Sequence, residues 1–533
     1  MTKLAVSIQV ESHDQALADA AAALSQGADL VEFRIDRFTN RPDQLLALVE
    51  ASALPCIITC RPVWEGGAFD GDESIRHKLV EVVGHCNRPP AYLDVELAAF
   101  QQDPDMREIA TGAVDQPAQV HPTTTGLILS THDFENRPID LYQRLEAMIA
   151  APACRVIKVA WRARSLRENL EVFEIIQQRH KPTIALCMGE YGLPSRVLAR
   201  KFGALLTFVS LAEGAGTAPG QPTIEQVKKL YRWDEIHEQT EVFGVIGHPV
   251  AHSMSPAVHN AGFTEVGHDG VYLPLPIAPS YEQFAATMES WTSMDCLHFR
   301  GASVTIPHKE NLLRYVQEQG GDVDPLALKI GAANTLAVHR DDGHVRLQAT
   351  NTDYAGALEA VCDGMGIRPD ELQGQRVAVL GAGGAARAVA AGFAHHGATV
   401  VIYNRTYERA VALAEALSDL GGRVVPARLE KLCDSCCQIF VNCTSVGMHP
   451  ATEVSPMPQG NASRAWRPGT VVFDTIYNPI HTRLLRDTRA AGCLTISGVE
   501  MFVRQAAAQF RLWTGRDAPL ETFRRIVLHS LRQ

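Results

Sequence analysis

Long apolar runs are missing from this chain of 533 residues, and none reaches the ~20 residues an α-helix needs to cross a bilayer. Excess positive charge is missing too: 49 lysines and arginines face 60 aspartates and glutamates, a formal net charge of −11. A nucleic-acid or anionic-membrane partner would need a basic face, so neither is expected, while small anions held by a few buried arginines stay open. The N-terminus MTKLAVSIQVESHD has one lysine and an apolar run that soon meets Glu11 and Asp14, which suits a first strand and not a secretory leader. Repeats and low-complexity tracts are absent. The twelve cysteines follow no repeating frame, so they read as reduced thiols in the cytosol without disulfides. Cys433, Cys436 and Cys437 have a CxxCC spacing, but no second cluster completes four metal ligands.

Size and apolar content are what remain, and at ~150 residues per domain the chain should hold about three or four domains. Up to about residue 235, eight apolar runs alternate with helical patterns. The runs start at Leu4, Leu30, Cys56, Tyr92, Leu127, Arg155, Thr183 and Leu205, and the helical stretches include Asp14 to Gln26, Asp72 to Gly84 and Asn169 to His180. Eight strand-helix alternations predict an α/β fold that begins with a closed (β/α)8 barrel. Glu32, Arg34, Arg61, Asp94, Glu96, His132 and Lys158 all fall late in these strands, which in a barrel brings them to one mouth. Glu32 and Arg34 share parity along their strand, as do Asp94 and Glu96, so each pair projects to one side.

Lys158 lies inside the apolar run Val156-Ile157-Lys158-Val159-Ala160. Burial frees a lysine amine as a nucleophile toward a carbonyl, giving a Schiff base, although simple pairing with an acid such as Glu32 would also account for it. His132, late in the preceding strand, suits proton transfer beside an iminium. These residues stand among VEFRID, TCRPVWEGG, LDVEL, STHDF, CMGEYGLPSR and TAPGQPT, and together the segments resemble type I 3-dehydroquinate dehydratase over nearly all of the first half. The resemblance implies Lys158 as the Schiff-base lysine for the 3-dehydroquinate ketone and His132 as the group that abstracts the C2 proton and assists loss of the C1 hydroxyl. It implies Arg196 as the clamp on the substrate carboxylate, with Glu32, Arg34, Arg61, Glu65 and Gln221 binding hydroxyls or orienting the catalytic pair. Thr217 stands where the family commonly has serine; the hydroxyl survives, so tuning is expected and not loss.

The polar stretch Tyr231 to Thr240 breaks the periodicity and marks a junction, after which VFGVIG from Val242 starts a second α/β unit. Ser253 and Ser255 sit at a helix entrance, where capping alone would explain them. Histidines 248, 252 and 259 are interrupted by Pro249 and Pro256, which argues against a shared metal. Further on come Thr305-Ile306-Pro307-His308-Lys309, then Asn334-Thr335, then Asn351-Thr352-Asp353. A strand then turns through Gly381-Ala382-Gly383-Gly384-Ala385-Ala386 into a helix, a dinucleotide-binding fingerprint. In this order the segments resemble shikimate dehydrogenase across the whole second half. That resemblance implies Lys309 and Asp353 as the catalytic pair, with Ser253, Ser255, Thr305, Asn334 and Gln505 on substrate oxygens. Tyr477 and Met501, in YNPIHTRLL and GVEMFVRQ, would lie near substrate and nicotinamide, with Gly498 beside them. The strand ending in Asn404-Arg405-Thr406, with Arg409 nearby, offers donors and positive charge where an NAD site would carry an acid, which favours NADP. Thr444 and Ser445 would line the same cleft.

The expected organisation is a dehydratase barrel over 1–235, a substrate-binding domain over 241–355 completed by C-terminal helices 499–533, and a Rossmann NADP-binding domain over 356–498. The expected function is dehydration of 3-dehydroquinate to 3-dehydroshikimate and NADPH-dependent reduction to shikimate, in the cytoplasm. Two other readings compete: a Schiff-base aldolase fused to an alcohol dehydrogenase, and a non-catalytic NADP-responsive module. TAPGQ with Arg196 argues against the first, and intact Lys158, His132, Lys309 and Asp353 against the second.

Overall fold

Runs that are apolar on both faces have to be covered on both faces, and in the first unit they form eight parallel strands. These are β1 (Lys3–Gln9), β2 (Leu30–Arg34), β3 (Cys56–Thr59), β4 (Tyr92–Glu96), β5 (Gly126–Asp133), β6 (Cys154–Arg162), β7 (Thr183–Met188) and β8 (Leu206–Val209). Their order, β7-β6-β5-β4-β3-β2-β1-β8, makes each strand from β1 to β6 the neighbour of the next in sequence, with β8 on the far side of β1. The computed structural model describes every residue except 40, 116–123, 342, 458–465, 467–468 and 533.

The closed ring expected from the sequence has a seam. Ladders join seven neighbouring strand pairs, whereas β8 meets β7 through the Leu205 N–H, which donates to the Thr183 carbonyl at 2.9 Å. β8, a strand of four residues, forms its ladder with β1. The barrel is nearly closed, and its interior is filled by Ala5, Leu30, Ile57, Ile128, Val156, Ala160, Ile184, Leu206 and Phe208. Side chains alternate along a strand, so Lys158, between inward-facing Val156 and Ala160, points inward as well. Glu32 follows Leu30, and Ser130 follows Ile128, by the same two-residue step.

The chain divides into two compact units. The first comprises Met1–Thr240 with Leu275–Ile277 and Met294–His298, and the second Glu241–Pro274, Ala278–Ser293 and Phe299–Gln533. The second holds two sheets. One contains β9 (Glu241–Gly247), β10 (Gly270–Pro276), β11 (Phe299–Val304), β12 (Asp322–Val323), β13 (Thr335–Asp341) and β14 (His344–Thr350), in the order β10-β9-β11-β13-β14-β12. The other contains β15 (Arg376–Leu380), β16 (Thr399–Asn404), β17 (Val424–Arg428), β18 (Ile439–Asn442), β19 (Val471–Asp474) and β20 (Leu494–Ile496). It is wholly parallel, ordered β17-β16-β15-β18-β19-β20, so the chain reverses direction of winding between β15 and β18, the crevice where open α/β sheets bind ligands.

The last two helices, Gly498–Thr514 and Leu520–Ser530, bury Val503, Phe510, Phe523 and Val527 against Phe243, Val245, Phe263 and Tyr272 of the first of these sheets and its helix. Among the described residues no helix is long and apolar enough to cross a membrane, and no three metal-ligating side chains gather.

Candidate active sites

Lys158 reaches the barrel interior from β6, and two carboxylates meet its Nζ: Asp94 Oδ2 at 2.7 Å and Glu32 Oε1 at 3.1 Å. The Phe208 ring lies beneath the ammonium, 4.4 Å from Nζ to its centroid. Neighbouring groups decide which carboxylate oxygens are left for the lysine. Arg61 Nη2 donates to Asp94 Oδ1 at 2.7 Å, and its Nη1 donates to Glu96 Oε1 and to Ser130 Oγ, both at 2.8 Å. Arg76 takes the other oxygen of Glu96. Ser7 and Thr59 hydroxyls donate to the two oxygens of Glu32 at 2.6 and 3.0 Å. Burial alone would raise Asp94, but Arg61 and Lys158 outweigh it and hold this carboxyl well below the usual carboxylate range.

His132 stands across the pocket. Its backbone N–H donates to Glu65 Oε1 at 2.9 Å, and its Nδ1 lies at the same distance from that oxygen. An acceptor at Nδ1 puts the ring proton there and leaves Nε2 as the basic nitrogen. Burial pulls the imidazole well below 6.5, and the charges of Arg61 and Lys158 pull it further, so it is neutral near pH 7. Burial also pushes Glu65 up to about 8 against the opposing field of Arg61.

Arg196 is 1% exposed. Its Nη1 approaches the Phe208 carbonyl at 3.5 Å, while Nε and Nη2 are buried with no hydrogen-bond partner among the described residues. Gln221 beside it has its Oε1 occupied by the Thr217 N–H at 3.0 Å and Thr217 Oγ1 at 3.4 Å, which leaves its Nε2 buried and without a partner. Unpaired donors aimed at one cavity, one set of them cationic, make a receptor for a small anion. Glu32, Arg34, Arg61, Glu65, His132, Lys158, Arg196, Thr217 and Gln221 all line this one pocket, with Phe134, Leu186 and Met188 as its apolar wall. Arg34 also forks onto Asp36, with contacts of 2.6 and 3.2 Å.

The second pocket, in the second unit, is lined by Ser253, Ser255, Thr305, Lys309, Asn334, Asp353, Ala385, Tyr477, Gly498, Met501 and Gln505. Lys309, the first residue of helix Lys309–Glu318, places Nζ 2.5 Å from Asp353 Oδ2. Asp353 is the second residue of helix Thr352–Met365, whose cap Asn351 accepts the Asp353 N–H at 3.0 Å, and Asn334 Nδ2 donates to the other carboxylate oxygen of Asp353 at 2.9 Å. A lysine and a carboxylate in contact, half open to a cavity lined by hydroxyls and amides, can exchange a proton with a bound alcohol or ketone. Gly498 is where the wall closes in: a Cβ there would meet the Thr475 carbonyl at 2.4 Å.

The remaining nucleotide candidates cluster at the C-terminal ends of β15, β16 and β18. Gly381 has φ +112°, a conformation that side-chain-bearing residues avoid, and its N–H donates to the Tyr403 carbonyl at 2.8 Å. Ala382 continues the turn to Gly383, which caps helix Gly384–His395; around Gly383 and Gly384 a Cβ would meet nothing within 4 Å, so the helix N-terminus faces open space. Ala386, in the first turn of the same helix, has its methyl group fully buried in the cluster that holds Val379, Val389 and Val441. Arg405, Thr406 and Arg409 are exposed, and Asn404 Nδ2 donates to the Thr406 carbonyl at 2.8 Å. Thr444 donates its hydroxyl to Asn442 Oδ1 at 2.7 Å, with Ser445 following in the same turn.

Several pocket residues were not singled out by their motifs. The sequence places Asp94 at the mouth, and its contact with Lys158 is a finding of the structure. Ser303 precedes Thr305 by two residues on one strand face, and Gln509 follows Gln505 by one helical turn; both spacings carry the signal.

Comparison with known proteins covers both units. Residues 4–238 match the family described as type I 3-dehydroquinase. Residues 245–336 match the shikimate dehydrogenase substrate binding domain, 366–474 shikimate / quinate 5-dehydrogenase, and 498–528 the shikimate 5'-dehydrogenase C-terminal domain. A chloroplastic bifunctional 3-dehydroquinate dehydratase/shikimate dehydrogenase of Arabidopsis thaliana is 37% identical, with 98% of this chain and 83% of that protein covered. A shikimate dehydrogenase (NADP(+)) of Methanosarcina mazei is 41% identical over 55% of this chain and 99% of its own length. A crystal structure of a shikimate dehydrogenase in complex with NADP+ covers 55% of this chain and 97% of its own, at 33% identity and a TM-score of 0.49.

Proposed function

This chain belongs to the family of bifunctional 3-dehydroquinate dehydratases/shikimate dehydrogenases, and from that premise we propose how its residues divide two reactions between them. The first unit dehydrates 3-dehydroquinate to 3-dehydroshikimate, and the second reduces that ketone to shikimate with NADPH. The observation that carries the first assignment is the buried Lys158 amine, flanked by two carboxylates and sharing a pocket with a neutral histidine and an unpaired arginine.

In the barrel, the Lys158 amine adds to the ketone carbon and water leaves, giving a protonated imine. Glu32 and Asp94 balance that cation. The iminium withdraws electrons from the neighbouring C–H bond, and His132 Nε2 removes the proton to leave an enamine. The electron pair returns to expel the C1 hydroxyl, to which His132 delivers the proton, so water departs and the histidine is again neutral. Water then hydrolyses the imine and frees Lys158. Arg196 and the Gln221 amide hold the carboxylate throughout, and Glu65 keeps the imidazole turned with Nε2 toward the reacting carbon. Arg34, Arg61 and Thr217 complete the polar lining.

In the second unit, Gly381, Ala382, Gly383 and Gly384 leave room for a pyrophosphate at a helix N-terminus. Arg405 and Arg409, exposed and without an ion pair among the described residues, offer positive charge for a 2′-phosphate, with Asn404 and Thr406 beside them. NADPH, when bound, supplies a hydride to the ketone carbon. Lys309 donates a proton to the ketone oxygen and Asp353 restores it, while Ser253, Ser255, Thr305, Asn334, Tyr477 and Gln505 hold substrate oxygens. Ala385, Thr444, Ser445, Gly498 and Met501 border the nicotinamide end.

The functional boundaries proposed are 1–235 for the dehydratase, 241–355 with 499–533 for substrate binding by the reductase, and 356–498 for NADP. Twelve free cysteines suit a reducing cytoplasm, and the acidic net charge suits small-molecule substrates over nucleic acid or membrane.

Product analysis with each pocket disabled tests the division. Lys158→Ala should form no borohydride-trapped adduct and no 3-dehydroshikimate from 3-dehydroquinate. Lys309→Ala should accumulate 3-dehydroshikimate without consuming NADPH. A trapped adduct on a peptide lacking residue 158, or shikimate formed by Lys309→Ala at the normal rate, would overturn the corresponding half.

A further inference from the structure

Asp474 ends β19 beside its register partner Asn442, the last residue of β18, and neither has a role in the chemistry above. The Asp474 carboxylate is fully buried, and among the described residues no cation pairs with it. Burial raises it to about 6 from 3.8, against the hydrogen bonds from Thr482, Ile476 and Asn442 that lower it, so it is ionised near pH 7. A neutral side chain would escape that desolvation; what the carboxylate supplies is an acceptor for several donors at once.

Its two oxygens serve different neighbours. Oδ2 accepts the Thr482 hydroxyl at 2.7 Å, and Thr482 caps helix Arg483–Ala490 by accepting the Leu485 N–H at 3.3 Å. That arm holds a helix. Oδ1 accepts the Ile476 N–H at 3.1 Å and Asn442 Nδ2 at 3.0 Å, and both of these lead to the pocket that holds Lys309 and Asp353. Ile476 is gripped at its other end as well, where its carbonyl accepts the Gly498 N–H at 3.2 Å, and its neighbours Thr475 and Tyr477 line the pocket together with Gly498.

Asn442 adds two further ties. Its backbone carbonyl accepts the Thr475 N–H at 3.0 Å and the Thr475 hydroxyl at 2.9 Å. Its side-chain oxygen accepts the Thr444 N–H at 3.0 Å and the Thr444 hydroxyl at 2.7 Å. A backbone N–H can only donate, so that end of the amide is oxygen and the end facing Asp474 is Nδ2. One carboxylate oxygen thus anchors both the Thr444 turn and segment 475–477.

We propose that Asp474 is a positioning residue for the reductase: through Oδ1 it holds the Thr444 turn, at the nicotinamide end, in register with segment 475–477, which faces the ketone substrate. This rests on the pocket being the reductase site. The phosphate grips at Gly381, Gly383, Gly384 and Arg405 lie outside this set of hydrogen bonds.

The test compares variants on the full chain, with rates taken per NADPH-binding site so that unfolded chains are not counted. Asp474→Ala removes both arms. Its kcat for reduction of 3-dehydroshikimate should fall about 10–100-fold, as for a displacement of about 1 Å between reacting groups, while the NADPH Kd from nucleotide fluorescence stays within about threefold. The dehydratase rate should not change. Asp474→Asn keeps an oxygen for the Ile476 N–H and Asn442 Nδ2 and turns its own amide nitrogen to the Thr482 hydroxyl, so kcat should return to within about threefold of the unmutated enzyme. Thr482→Val cuts the helix-cap arm alone; it should lower the unfolding midpoint of the second unit and leave kcat within about twofold. If Asp474→Ala does not fold, Asn442→Ala carries the same test, with kcat down about tenfold at an unchanged NADPH Kd, and a normal kcat there would overturn the proposal. So would a kcat in Asp474→Asn as low as in Asp474→Ala, an equal loss in Thr482→Val, or an NADPH Kd weakened in step with kcat. If Lys309→Ala reduces 3-dehydroshikimate normally, the site assignment fails; if Lys309→Ala is inactive while Asp474→Ala matches the unmutated enzyme, the positioning role alone fails.

Discussion

Replacing Arg196 with methionine should make the barrel more stable and the dehydratase nearly inactive. The guanidinium is buried and, among the described residues, meets no carboxylate and leaves Nε and Nη2 without partners. Burial pulls it down to about 10 from 12.5, with a small opposing effect from Cys187, which corresponds to roughly 3 kcal/mol lost on folding. The sign is fixed by direction: the folded value lies below the unfolded one, so the penalty is present in full at any pH below about 10 and fades only above it. Methionine has similar reach and no charge, and imperfect packing reduces the gain to about 1–3 kcal/mol. Substrate pays for the same loss in reverse, since two charge-assisted hydrogen bonds at about 1.5–3 kcal/mol each imply a fall of roughly 10²–10⁴ in dehydratase kcat/KM. Hydrogen exchange of the slowest amides in β5 and β6 reads barrel stability separately from the second unit. Steady-state rates of both reactions on the same preparation give function, with the reductase as internal control. Faster exchange in Arg196→Met, or a kcat/KM within tenfold of the unmutated enzyme, would refute an unpaired anion receptor.

The fold was legible because strands covered on both faces must be apolar along their length, and eight such runs alternating with helical patterns leave few architectures. The seam between β7 and β8 was not, because no residue type in Leu206–Val209 signals that its ladder is made on one side. The position of Lys158 was legible from parity with Val156 and Ala160. Pairing with an acid such as Glu32 was legible, and Glu32 does meet Nζ at 3.1 Å; the second partner was not, since Asp94 and Glu96 had equal claims. Arg61 settles the matter by taking one oxygen of Asp94 and one of Glu96, and Arg76 occupies the rest of Glu96. Ala386 follows the glycines of the fingerprint, and its methyl group, unlike the open positions Gly383 and Gly384, points into the core. His259 was weighed only as a metal ligand beside His248 and His252; what surrounds it is aromatic, drawn from three helices and a strand widely separated in sequence.

Glu65→Gln keeps an oxygen for both His132 donors and removes the one group in that contact held near 8. Dehydratase kcat should rise through about pH 8 in the unmutated enzyme, as the ionised carboxylate strengthens His132 as a base, and the variant should lose that inflection in a pH–rate profile. If the inflection persists in Glu65→Gln, another group produces it. Arg405→Ala should raise KM for NADPH about 10–100-fold, the loss of one charge-assisted contact to a phosphate, and leave KM for NADH within about twofold. Arg405 is the choice because it directly follows β16, where the Asn404 bond to the Thr406 carbonyl fixes the turn, whereas Arg428 on the adjacent strand lies over the Tyr407 ring at 4.7 Å and is engaged there. Competition between NADPH and NADH in the reductase assay measures the split, and equal weakening of both nucleotides would mean that Arg405 supports the turn and does not read the phosphate.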